Sequence, residues 1–154
     1  MKLFAHFAPL TALVTCLVGG ASAQTIAIGY PPEGFSVSPN SSLTVQVDRP
    51  NSLTGSQEVA IIISLAHCPS SNVPHCLDPT QLLGPTLYYG PFDPQYPSFR
   101  TPQDVPQQNF TVTVPAALQN GTAVLTVTHL SLVGAGPYPL FEFKNVTLDV
   151  QPQQ

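Results

Sequence analysis

The sequence predicts an all-β protein, an immunoglobulin-like or fibronectin-like β-sandwich of about seven strands. Three observations carry this. Apolar residues recur with period two in several short segments. No window holds a sustained 3.6-residue period, and 18 prolines in 154 residues leave little room for long helices. Turn residues separate the apolar segments at the spacing that sandwiches use.

Taken in order, Thr25 to Tyr30 is a short apolar first strand. In the next, Leu43, Val45 and Val47 alternate with Thr44, Gln46 and Asp48, the pattern of a half-buried strand. Val59 to Leu65 is nearly continuous and β-branched, which suits a central strand. Thr86 to Gly90 follows as a shorter candidate. Phe110, Val112 and Val114 alternate with Thr111 and Thr113. The segment Pro115 to Gly121 joins this strand to Thr122–Val133; its Asn120-Gly121 pair favours a positive φ, and Leu118 can tuck beneath the sandwich. Leu140 to Val150 closes the chain, with Val146, Leu148 and Val150 on one face.

Residues 1–23 read as a secretory signal peptide. Lys2 supplies the positive start, Leu10 to Val18 the apolar stretch, and Ala21-Ser22-Ala23 the cleavage site. An apolar run this short does not span the roughly 30 Å of a bilayer core. Residues 24–154 then form one domain, expected to be secreted, extracellular and without stable membrane insertion. Four N-x-Ser/Thr sequons, at Asn40, Asn109, Asn120 and Asn145, agree with that route. Cys16 leaves with the signal, so Cys68 and Cys76 remain as an even pair in an oxidising compartment, where a disulfide is the expected state.

Only 8% of residues are charged and the formal net charge is −4. Four basic residues cannot neutralise a run of phosphates, which excludes nucleic acid as a partner and a polybasic membrane patch. His67-Cys68 and His75-Cys76 admit a metal reading, but their spacing follows no standard zinc pattern. With a bridge in place, the two histidines are expected to be surface residues beside it. His129, alone in a strand, reads as structural or as an edge residue. No G-x-S-x-G and no free cysteine supply a nucleophile. The acidic residues lie mostly in turn-like sequence, and nothing in the sequence pairs them for acid–base work. The expectation is therefore no enzyme, no cofactor and no metal.

The connection from 66 to 108 stands apart. It holds half of the 18 prolines, the cysteine pair and the rings of Tyr88, Tyr89, Phe92, Tyr96 and Phe99. Long connections inside compact domains are often functional. These aromatics are either a binding surface, for protein or for a cell-wall glycan, or packing over one end of the sandwich.

Several blocks of the second half carry a family texture. Leu83-Gly84 leads to Tyr88-Tyr89-Gly90-Pro91-Phe92, then to Asn109-Phe110-Thr111-Val112-Thr113-Val114-Pro115. Gly121 to Val127, Leu130-Ser131-Leu132-Val133-Gly134-Ala135 and Asn145-Val146-Thr147-Leu148-Asp149-Val150 follow. This arrangement resembles the fungal necrosis-inducing secreted protein effectors, the NIS type, over roughly residues 82–150 and more loosely over Leu43–Leu65. The proline-rich cysteine insert is longer than in that pattern. The resemblance implies a non-enzymatic virulence effector that binds plant receptor-like kinases, suppresses immune signalling and induces cell death when abundant. It assigns no individual site residue. The late strands through His129 also look like those of copper-dependent polysaccharide monooxygenases. Those enzymes use an N-terminal histidine as copper ligand, and Gln24 takes that place here.

Overall fold

The computed structural model describes residues 25–69, 76 and 78–152. The expected signal peptide, Gln24 and His75 lie outside the described residues. Eight strands form: β1 (Ala27–Tyr30), β2 (Phe35–Val37), β3 (Ser42–Asp48), β4 (Ser56–His67), β5 (Thr86–Gly90), β6 (Gln107–Thr113), β7 (Gly121–Val133) and β8 (Tyr138–Val150). There is no helix among the described residues. The strands make a three-stranded sheet in the order β1-β3-β6 and a five-stranded sheet in the order β2-β8-β7-β4-β5. All pairings are antiparallel except β2 with β8.

The period-two pattern decides what is buried. On β3, Leu43, Val45 and Val47 are buried; on β6, Phe110 lies opposite Val45 and Val112 opposite Leu43. From the other sheet, Ile61, Ile63 and Leu65 of β4, Leu125 and Val127 of β7, and Leu148 and Val150 of β8 complete one apolar cluster between the two layers. Each such side chain contributes about 1.5–3 kcal/mol when fully buried. Leu118 joins the cluster from the turn before β7, and Gly121 takes a φ of 117°, the conformation its Asn-Gly pair favours.

The sequence signals seven strands, and the structure adds β2. Its three residues pair in parallel with Leu148–Val150 and move the chain from one sheet to the other. So short a strand, after Pro31-Pro32 and Gly34, carries no alternation of its own to read. β4 starts earlier than expected, at Ser56, and its register shifts between Glu58 and Ala60. Val59 is therefore a bulge residue and 42% exposed rather than the first core position. The bulge places Glu58 opposite Ser131, on the sheet's inner face.

Candidate functional site

At one end of the sandwich the apolar core gives way to charge. His129 lies on β7 with no exposed surface, opposite Glu142 of β8. Its Nδ1 is 3.0 Å from Glu142 Oε1, and its Nε2 is hydrogen-bonded to Glu58 Oε2. Arg49, just past β3, donates from Nε to Glu58 Oε1 at 2.9 Å and from Nη2 to Ser56 Oγ at 2.6 Å. The Ile26 backbone N–H donates to Glu142 Oε1 at 2.9 Å. The cluster thus ties the chain ahead of β1 and behind β3, in one sheet, to β4, β7 and β8 in the other.

Electrostatics follow from the geometry. Burial opposes the imidazolium, but hydrogen bonds to Glu142 and Glu58 and their charges raise the His129 pKa above its ordinary value. Burial likewise opposes both carboxylates. Hydrogen bonds and charge from His129, with Arg49 on Glu58 and Lys144 on Glu142, hold them below theirs. With both ring nitrogens engaged and the ring enclosed, His129 offers no nitrogen to a metal or a substrate. Among the described residues, no group of three or more His, Cys, Asp or Glu side chains is placed to hold a metal ion. The sequence reads His129 as structural or as an edge residue, and β7, flanked by β8 and β4, is no edge; the sequence leaves the carboxylates unpaired. Glu58 and Glu142 meet only through strand register and a bulge, which local sequence does not display. The signal that is present is His129, the one charged or basic side chain within the apolar run of β7.

The aromatic connection divides into packed and presented rings. Phe92 is buried, 5% exposed, with its ring 6.3 Å from Phe110 and 5.6 Å edge-on from His129. Tyr88 packs at 4.7 Å on Phe110, and its hydroxyl donates to the Pro91 carbonyl. Of the two alternatives the sequence leaves open for these rings, packing describes Phe92 and Tyr88, because their positions beneath the loop and on the inner side of β5 turn them toward the core. Tyr96 is half-buried; Asn51 Nδ2 donates to its hydroxyl at 2.6 Å, and the Arg100 guanidinium lies 3.6 Å above its ring. Tyr89 and Phe99 are 80% and 94% exposed. Tyr89 stands on the opposite face of β5 from Tyr88. Nearby loops carry exposed Leu53 and line a cleft of about 520 Å³ with Thr54, Gly55, Leu132 and Gly134.

Cys68, directly after β4, is bonded to Cys76 with a Cα separation of 4.8 Å. His67 beside it is half-buried rather than a free surface residue, with its Nδ1 enclosed. Its ring approaches the turn at Gly121 and the apolar groove of Pro115 and Leu118. Asn40, Asn109, Asn120 and Asn145 are all exposed. No helix among the described residues is long and apolar enough to cross a membrane.

A search among curated proteins finds no match. A family model, by contrast, spans residues 21–149, covering both sheets except the last residue of β8 and the charged cluster between them in full. On that match, the chain belongs to the Nis1 family.

Proposed function

We propose that this protein is a secreted effector that acts by binding, not by catalysis, and that its targets are plant immune receptor-like kinases. The family match over residues 21–149 carries this reading. The resemblance of residues 82–150 to necrosis-inducing effectors supplies the partner class and the outcome: suppressed immune signalling, with cell death at high dose. The side-chain chemistry supports a binder. The buried His129 is closed off by its two carboxylates, whereas Tyr89, Phe99 and Leu53 stand exposed on sheet and loops. Exposed aromatics at the rim of a rigid sandwich suit protein contacts. The disulfide and the surface sequons support passage through the secretory route.

The test is a titration of the secreted protein against purified cytoplasmic domains of plant receptor-like kinases, with an unrelated kinase as control. Binding near micromolar or tighter, about −8 kcal/mol, with reduced kinase activity, is expected. Tyr89→Ala and Phe99→Ala are expected to weaken it while leaving the fold intact. Absence of binding by folded protein overturns the kinase assignment. Retention on chitin, glucan or cellulose in its place would establish the wall-glycan reading.

A further inference from the structure

The four sequons do not share one setting. Asn40 sits in a turn at a φ of 62°, Asn109 on β6, and Asn120 in the turn before β7. Asn145 lies on β8, opposite Thr126 of β7. On its other side β8 is paired only at Leu148–Val150, by β2, so Asn145 occupies an edge with no strand beyond it among the described residues. Phe143, two residues earlier, shares the face of Asn145, since Lys144 and Val146 take the alternate positions. Phe141 packs edge-on against the Phe143 ring at 4.9 Å and fixes its orientation. Phe143 and Asn145 both line a cleft of about 410 Å³ between β8 and Thr25–Ile28. At the other sequons the position two before the asparagine holds Ser38, Gln107 and the buried Leu118.

We propose that the N-glycan on Asn145 seats its first N-acetylglucosamine against the Phe143 ring at the mouth of this cleft. Side chains two apart on one strand face stand about 7 Å from each other, within reach of the first sugar of an asparagine-linked glycan. One face of that pyranose presents C–H groups, which pack on the negative face of an aromatic ring. The sugar thereby covers the Phe143 ring on the outer face of β8, the face that its register with β7 turns away from the core. Asn40, Asn109 and Asn120 lack the ring, so glycans there project into solvent. The proposal rests on the secretory reading above.

The experiment uses the full chain in a eukaryotic secretory host that makes high-mannose glycans. Glycopeptide mapping is expected to find Asn145 occupied. Trimming each glycan to a single N-acetylglucosamine is expected to leave Tm unchanged. Asn145→Gln is expected to lower Tm by about 3 °C, a typical shift for a modest loss in a domain this size. The Asn145→Gln effect should vanish in a Phe143→Ala background and persist in Phe143→Tyr. An unoccupied Asn145 in secreted protein overturns the proposal. So does an equal Asn145→Gln effect with and without the Phe143 ring, or no effect at all. Failure of the chain to reach the medium overturns the secretory reading itself, a result distinct from secretion without Asn145 occupancy.

Discussion

Replacing His129 with glutamine tests the charged cluster most directly. In the native fold the imidazolium sits between Glu58 and Glu142, with no surface of its own exposed. Arg49 and Lys144 supply the other positive charges, Lys144 at 3.7 Å. Glutamine keeps most of the volume but removes the cation, leaving two enclosed carboxylates facing a neutral amide. Removing one partner of a buried ionic group costs about 3–5 kcal/mol. That is a large share of the roughly 5–15 kcal/mol by which domains are stable. The pH dependence gives the sign. The folded pKa of His129 is raised, so its contribution is complete below the unfolded value and is lost as pH rises through the folded one. The folded pKa values of Glu58 and Glu142 are lowered, so theirs is complete above the unfolded carboxylate value and is lost as pH falls through the folded one. The cluster therefore contributes most between the model-compound values of 4.5 and 6.5. Urea unfolding at a series of pH values is the assay. Above pH 6.5 the native protein is expected to lose stability with a slope of up to about 1.4 kcal/mol per pH unit. His129→Gln is expected to be destabilised most near pH 5.5 and to lack that slope. A native protein whose stability is flat or rising from pH 6 to 8.5, with a variant equally weak throughout, would refute the reasoning.

Three further predictions concern packing. Phe92→Ala is expected to cost about 3–5 kcal/mol in thermal or denaturant unfolding, and Phe99→Ala no more than about 0.5 kcal/mol, which checks the division of the aromatic connection. Gly84 has a φ of 71°, and a Cβ there would stand 2.6 Å from the Leu65 carbonyl oxygen and 2.7 Å from Ala66 Cα. Gly84→Ala is accordingly expected to lose at least about 1–3 kcal/mol, read as a lower midpoint in the same assay. Reducing Cys68–Cys76 is expected to lower stability by at most about 2.6 kcal/mol, the loop-closure figure for so short a ring, while the far-ultraviolet circular dichroism keeps its strand signature. Loss of that signature on reduction would show that the bridge holds the sandwich itself, not only the connection beside it.

The strands were legible where burial follows a period of two. Leu43, Val45 and Val47 declare their face, and so do Phe110 and Val112, because the three-stranded sheet has one wet side and one dry side. β7 was legible by length and β-branching, although Thr126 and Thr128 on its outer face are nearly as buried as the core side. What stayed hidden depends on pairing between distant segments. β2 exists only because Leu148–Val150 lies beside it. Glu58 reaches His129 only because the bulge at Val59 shifts its register. The aromatic run was visible as an unusual composition. Its division into buried Phe92 and exposed Phe99 depends on how the connection folds over Phe110, which no local period encodes.

The pairing of β2 with the end of β8 also sets the order in which the fold can close. Gly34 donates to the Thr147 carbonyl, and Gln151 to that of Val37, so one of the earliest strands is clasped by the last. A chain emerging from the ribosome can assemble β3 with β6 and β4 with β7, but β2 waits for residues at the far end of the sequence. β2 therefore cannot pair before residues 148–150 have been made. Until then the β2–β8 contact stays open, and loss of the last few residues of β8 would leave β2 with no strand to join.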